Sequence, residues 1–377
     1  MNAEIRYSTT PDYSKANVLL DNGVVLFGPE DTGKRIYLWA DLNSCPTNNN
    51  GFKQPIVNLG YVSNGDTITN GLVARKIGGN ILSLFYMNNF TGYDTSTRFT
   101  SYDATPFYRL ASYSLVGKLY LEDASGLYVC PNLFWYEYFD GCSALTAAPD
   151  LRYFTSIGYH QCEKMFCGCS SLVTPPHMNN VSSVSDYGCS QMFKECTSLT
   201  TAPNMNNVTS VGTEGCLEMF SGCTSLITAP ELPATRLSNR SYKNMFYGCT
   251  ALTTAPSVLP TTNVYSAGEC YYCMFYGCTS LTAAPDMSNL RDLGNSACVW
   301  MFYGCTSLRT APVLPATWAA SSCYNGMFIG CTSLTTAPAL PATTLLSGCY
   351  SRMFEGCTSL TTAPALPATT LATYCYS

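Results

Sequence analysis

Met274-Phe-Tyr-Gly-Cys-Thr-Ser-Leu-Thr-Ala-Ala-Pro285 decides how this chain is read, because close copies of it recur nine times between Phe139 and Pro364. Each copy is anchored by a cysteine: Cys142, Cys169, Cys196, Cys223, Cys249, Cys278, Cys305, Cys331 and Cys357, spaced 27, 27, 27, 26, 29, 27, 26 and 26 residues apart. A period of this length marks a stacked array, in which one repeat is a supersecondary unit that buries its apolar side only against its neighbours. The fold class that follows is a β-rich solenoid of nine rungs, and its function is to be sought on a long surface.

Each position of the phrase has a chemical reading. Met and Phe begin a tight corner, with one turn of 3₁₀ helix expected there, Gly permits it, and Cys and Leu turn inward. Thr-Thr-Ala or Thr-Ala-Ala is a short β-type segment, ended by a Pro that has no N–H for a ladder. The second half comes in two dialects. After Met219, Met301, Met327 and Met353 it reads Leu-Pro-Ala-Thr with close variants, and after Met165, Met192 and Met274 it reads Met-Asn/Ser-Asn-Val/Leu. Leu237 and Leu345 in the first are expected at the same phase as Val181 and Val208 in the second, on a second short strand.

Outside the array, residues 1–105 alternate short apolar runs with turn signals. Val18–Leu20 and Val24–Phe27 flank Asp21-Asn22-Gly23, and Leu72–Ile77 and Ile81–Phe85 flank Gly78-Gly79-Asn80; both predict hairpins in a small all-β attachment domain. Asp41–Lys53 reads as a surface loop. Residues 106–138 fit a degenerate capping rung, leaving 139–377 as the solenoid.

Only 11% of the 377 residues are charged, the net charge is -5, and no Lys/Arg block exists, so the footprint of a nucleic-acid binder is absent. With 46% hydrophobic residues the chain is not composed like a disordered one. No stretch approaches the ~18 apolar residues of a membrane span. The N-terminus, Met1-Asn-Ala-Glu-Ile-Arg, shows no basic or apolar leader, from which either a leader already removed or release by another route, such as on a phage particle, is expected.

The 21 cysteines are an odd number at fixed phases. One series is the Gly-Cys of the phrase, and a second lies three or four residues before Met, at Cys162, Cys189, Cys216, Cys270, Cys298, Cys323, Cys349 and Cys375. Equivalent residues on rungs about 4.8 Å apart have parallel side chains, whereas a disulfide needs convergent Cβ atoms about 3.8 Å apart. Two ladders of buried, reduced thiols are therefore expected. Cys167-Gly-Cys169 and Cys270-Tyr-Tyr-Cys273 bring thiols close, yet no converging four-ligand zinc set accompanies them. No metal or cofactor is expected.

These residues resemble the BspA-like, or Treponema-type, leucine-rich repeats. Phe220-Ser-Gly-Cys-Thr-Ser-Leu226 carries the aromatic corner, Gly-Cys and Ser-Leu of that class, and Val208-Thr-Ser-Val-Gly212 its second half. The resemblance spans about 240 residues. It implies a non-enzymatic surface protein implicated in adhesion, and the Leu-Pro-Ala-Thr-Thr-Leu dialect is similar to arrays of Bacteroides-type bacteria and their phages. The head, with Gly79-Asn-Ile-Leu-Ser-Leu-Phe-Tyr86, is similar to the β-rich leader that precedes this dialect.

Catalysis finds no constellation. His160 and His177 are expected to lack an Asp or Ser partner at matching phase, and Glu163, Glu195, Glu218 and Glu355 fall where other rungs hold unrelated types. Binding fits better, because freely varying slots interrupt a strict scaffold and are expected to be exposed. Before Met stand Lys164, Gln191, Glu218, Asn244, Cys273, Trp300, Gly326 and Arg352; after Phe stand Cys167, Lys194, Ser221, Tyr247, Tyr276, Tyr303, Ile329 and Glu355. Tyr247, Tyr272, Tyr276, Trp300 and Tyr303 then form a candidate ligand-binding patch for a protein or for a glycan whose sugar rings stack on the aromatics. The expected partners are a bacterial or host surface protein or glycan, and a virion or surface assembly through the head. The expected location is a virion or bacterial cell surface. A structural spacer is the third reading. At Cys375-Tyr376-Ser377 a tenth rung has begun, so further chain, an oligomer or another partner is expected there.

Overall fold

The computed structural model describes the backbone of five short upstream strands and then residues 136–377, with 144, 149–150, 153 and 261–267 excepted. Strand β1 (Ile5–Ser8) lies between β2 (Asn17–Leu19) and β3 (Tyr37–Ala40), antiparallel to both. Strand β4 (Lys76–Ile77) pairs in parallel with β5 (Lys118–Leu119). Strand β4 is the end of the expected hairpin arm Leu72–Ile77. Its pairing with β5 links the expected attachment domain to the expected capping rung. The other hairpin arms, Val24–Phe27 and Ile81–Phe85, and the loop Asp41–Lys53 lie outside the described residues.

In the array, the stretch around each Met-Phe pair neither coils nor extends. The N–H groups of Lys164, Phe166 and Gly168 donate to the carbonyls of Ser190, Met192 and Lys194 on the next rung, at 2.9, 2.9 and 2.8 Å. Those of Met165, Cys167 and Cys169 donate three residues back, to Cys162, Lys164 and Phe166, at 3.2, 3.1 and 3.1 Å. Every second residue thus serves the neighbour and its alternates serve the rung itself, which satisfies backbone groups that would be costly to bury unpaired. The expected single turn of 3₁₀ helix is replaced by this chain of turns. A helix would consume its N–H groups internally and leave none for stacking.

The price of the alternation is a left-handed residue at every fourth position. His160, Lys164 and Gly168 have φ of 49, 52 and 69°, and Tyr187, Gln191 and Glu195 on the next rung 56, 55 and 61°. Side chains consequently leave in pairs: Met192 and Phe193 point in, Lys194 and Glu195 out, and Cys196 in again.

The rest of each rung is extended. Thr201, Thr228 and Thr254 form consecutive parallel bridges, as do Ala283, Thr310 and Thr336. The second strand is present as β6 (Ser183–Val184), β7 (Ser210–Val211) and β8 (Arg236–Leu237) in one parallel sheet, and as β9 (Trp318–Ala319) with β10 (Thr344–Leu345) in another. Leu237 pairs with Val211, and Val211 with Val184. Val181 and Val208 are buried three residues earlier, so the expected phase match between the dialects is corrected by three.

Inside, Phe139, Phe166, Phe193, Phe220, Phe246, Phe275, Phe302, Phe328 and Phe354 stack in one column with centroids 5.4–5.9 Å apart. Each buried Phe or Leu contributes about 1.5–3 kcal/mol, so the column needs no functional reason. The Gly-Cys thiols bind the rungs further: the Sγ of Cys196 donates to the Phe166 carbonyl on the preceding rung at 3.1 Å, and Cys223, Cys305 and Cys331 repeat the contact with Phe193, Phe275 and Phe302. The nineteen cysteines among the described residues carry free thiols.

The second cysteine series is not one ladder. Cys162, Cys189, Cys216 and Cys298 share a column with Tyr242, Tyr271, Tyr324, Tyr350 and Tyr376, whereas Cys270, Cys323, Cys349 and Cys375 lie one residue earlier, as the bonds from Tyr242 N–H to the Cys270 carbonyl and from Cys298 N–H to the Cys323 carbonyl establish. Among the described residues, no helix is long and apolar enough to cross a membrane.

Candidate functional site

The outward pairs of the turn chain make columns along one side of the array. Tyr247, Tyr276 and Tyr303 follow the Phe of three successive rungs, and the backbone ladder fixes them in register. Their rings are nearly parallel, with centroids 4.6 Å apart for the first pair and 4.4 Å for the second. Beside this column, Tyr272 meets Trp300 edge to face at 5.7 Å, and Lys243 Nζ lies 4.5 Å from the Tyr272 centroid. The structure therefore brings the five aromatic residues expected to bind into two groups, a stacked column of three and an edge-to-face pair. Tyr247 is exposed and the other four are half-buried.

The patch does not work as a sugar platform at its centre. Both faces of Tyr276 are covered, by Tyr247 and by Tyr303, so it offers its edge and hydroxyl. Desolvation, followed by the neighbouring phenols of Tyr303 and Tyr247 and a hydrogen bond with Tyr303, pushes the Tyr276 hydroxyl up to about 12. It stays protonated at any physiological pH and remains a hydrogen-bonding group.

Charges around the patch are paired along the same side. Glu218 accepts from Lys194 Nζ at 2.7 Å, Gln191 Nε2 at 3.1 Å and Asn244 Nδ2 at 3.2 Å. Burial works against its charge, but the Lys194 ammonium and the amide donors prevail and hold the carboxyl below its ordinary range. Glu269 is held low in the same way by Lys243, at 2.7 Å, and Arg240, at 3.1 Å, and Arg240 also reaches Glu214 at 3.1 Å. The strip therefore carries balanced charge.

Several variable slots are not exposed, against expectation: Cys273, Ser221 and Ile329 are buried. Side chains of unequal size on successive rungs fill one another in, so a short residue disappears under a long neighbour. Sequence reading also missed a second aromatic group. His160 stacks on Tyr187 with centroids 4.5 Å apart and meets Tyr159 and Tyr136 edge-on. Its phase, two residues before the buried Cys162 and Cys189, was the available signal. His160 Nδ1 contacts Glu163, a carboxylate partner that the sequence reading, which looked for Asp or Ser, did not pair with it; the pair is walled by tyrosines and is a packing arrangement. His177 is exposed. Among the described residues no three of His, Cys, Asp and Glu converge as a metal site. Burial pushes Cys273 and Cys167 up to about 12, which disfavours the nucleophilic thiolate.

A BspA type leucine rich repeat region model matches in six copies over residues 136–253, 162–313 and 239–377. The chain belongs to the BspA type leucine-rich repeat family. No curated protein matches this BspA-type chain. Similar solved structures include a leucine-rich repeat protein from Bacteroides ovatus ATCC 8483, 20% identical over 60% of this chain and 68% of that one, with a TM-score of 0.29. A T. pallidum leucine rich repeat protein is 18% identical over 58% of this chain and 78% of that one, with a TM-score of 0.31. A leucine rich cell surface protein of Faecalibacterium prausnitzii A2-165 is 16% identical over 84% and 91%, with a TM-score of 0.28.

Proposed function

We propose that this BspA-type chain is a non-enzymatic adhesion or receptor-binding protein whose aromatic strip engages a surface protein on a bacterial or host cell. The observation that carries the reading is the phenol column Tyr247–Tyr276–Tyr303 with Tyr272 and Trp300 alongside. Tyr and Trp held rigidly by their neighbours are the usual anchors of protein interfaces, and here they present edges and hydroxyls. A glycan partner would be held by those hydroxyls, since stacking is blocked at Tyr276. Mounting on a phage tail fibre is the alternative setting to a bacterial surface, distinguished by whether structural phage genes flank the coding sequence.

The test compares the full chain with its Tyr276→Ala/Trp300→Ala/Tyr303→Ala variant for binding to intact bacterial cells, epithelial monolayers and an array of neutral glycans. Loss of cell binding with an unchanged far-UV spectrum is expected; binding that survives all three substitutions rejects the strip. A spacer is separated by replacing the middle rungs with consensus copies at constant number: a spacer keeps its activity and a binder loses it.

A further inference from the structure

Gly326 sits in the column that precedes Met, where every other described member keeps a side chain: Lys164, Gln191, Glu218, Asn244, Cys273, Trp300 and Arg352 have φ between 51 and 55°, and Gly326 has 59°. Seven residues of the same phase adopt the left-handed conformation with a Cβ, so the backbone does not by itself demand glycine here. What distinguishes the position is its neighbourhood. A Cβ added to Gly326 would lie 2.5 Å from Cδ1 and 2.7 Å from Nε1 of Trp300, and 2.8 Å from Cδ1 of Ile329. The indole of one rung rests on the bare Cα of the next, beside the isoleucine that follows Tyr303 in the phenol column.

We infer that Gly326 is a positioning residue for recognition: it seats the Trp300 indole between Tyr272 and Ile329, and thereby fixes the one indole of the strip, which stands outside the parallel stack. This rests on the strip being the binding surface and names how its Trp anchor is held. With the ring pinned against Gly326 on one side and set edge to face at 63° with Tyr272 on the other, the indole has a single orientation to offer, and its partner finds a pre-ordered anchor. A methyl at 326 does not remove Trp300; it lifts the ring from its seat. The far end of Ile329 can yield by rotation, but the atoms of the indole five-membered ring cannot move without the whole ring.

Gly326→Ala, Trp300→Ala and the double substitution are compared in the full chain. With Trp300 present, Gly326→Ala is expected to increase acrylamide quenching of Trp300 fluorescence, taken as the difference from the Trp300→Ala protein, and to change the near-UV circular dichroism of the Tyr272–Trp300 pair. Cell binding is expected to fall at least about tenfold, the scale of a displaced hot-spot Trp. In the Trp300→Ala background, Gly326→Ala is expected to lower the melting temperature less than it does with Trp300 present, because only the left-handed preference is then lost. An equal drop in both backgrounds, or unchanged quenching, overturns the seat by showing that Gly326 answers to the backbone alone. If quenching and dichroism change while cell binding survives both Gly326→Ala and Trp300→Ala, the seat stands and the binding reading fails. If Trp300→Ala abolishes binding and Gly326→Ala leaves it intact, the strip stands and the positioning role fails.

Discussion

Raising the pH should unfold this array at a value where most proteins are still stable, because its core is built on buried thiols. Burial pushes Cys223 and Cys270 from the ordinary 9.0 up to about 12, and raises Cys162, Cys305 and Cys323 as well as the ladder thiols Cys249 and Cys278. The sign is fixed by linkage. Below pH 9 folded and unfolded chains both hold the proton and stability does not depend on these groups. Above it the unfolded chain ionises first, and stability falls until the folded thiols ionise in turn. At pH 10, one unit above the free value, each such thiol costs the fold about 1.4 kcal/mol. Six of them cost about 8 kcal/mol, against the roughly 5–15 kcal/mol that holds a domain together. Titration from pH 7 to 11 under reductant, followed by far-UV circular dichroism and thiolate absorbance together, should show both signals changing in one cooperative step. Replacing Cys223 and Cys270 by Ala should move that step to higher pH. Thiolates that appear near pH 9 while the dichroism stays constant would refute the buried-ladder reasoning.

Three substitutions test the packing rules directly. Glu195 is left-handed at φ 61° where Gly168, Gly222 and Gly248 hold the same phase, so Glu195→Gly should stabilise by about 1 kcal/mol and raise the melting temperature. Tyr271 donates its hydroxyl to the Pro260 carbonyl at 2.8 Å, whereas the buried Tyr350 hydroxyl has no partner among the described residues. Tyr271→Phe should therefore cost about 1 kcal/mol in a denaturant titration, and Tyr350→Phe should be neutral or stabilising by a similar amount.

The stacked core was legible in the sequence because periodicity reports burial: Phe, Cys and Leu recur at one phase and were found in columns. The path of the backbone was not. A two-in, two-out pattern belongs to neither a strand of period 2 nor a helix of period 3.6, so nothing in the hydrophobic pattern announces a left-handed residue at every fourth position. Glycine, the usual signal of that conformation, is misleading here: His160, Lys164, Tyr187, Gln191 and thirteen further non-glycine positions among the described residues would have to be read as turns, and at 326 the glycine marks an indole instead. The candidate aromatics were found because slots vary against a strict frame, but that same reasoning equated variation with exposure and so misplaced Ser221, Cys273 and Ile329.

The second cysteine series follows a rule that appears only when its two columns are separated. After the Met-Asn/Ser-Asn dialect, the column three residues before the next Met holds cysteine, at Cys189, Cys216 and Cys298; after the Leu-Pro dialect it holds tyrosine, at Tyr242, Tyr271, Tyr324, Tyr350 and Tyr376. The Tyr271 hydroxyl on the Pro260 carbonyl shows that this tyrosine reaches the Leu-Pro segment. Ala234, Ala316 and Ala342 of that dialect are small and buried where the other dialect holds the larger Val181, Val208 and Leu290, so a large ring from the same turn of chain compensates for the smaller residue. The residue one position earlier adjusts in step, with Gly188, Gly215 and Ala297 beside cysteine and Ser241, Cys270, Cys323, Cys349 and Cys375 beside tyrosine. The two dialects are therefore two solutions to one packing problem, and the units exchanged between rungs must be the whole pair. Moving Tyr324 alone to cysteine should open a cavity and destabilise by about 2–5 kcal/mol, the range for large-to-small core changes, while exchanging the entire dialect with its cysteine should be close to neutral. Chemical denaturation of both variants decides it: equal losses would mean that the column and the dialect are packed independently.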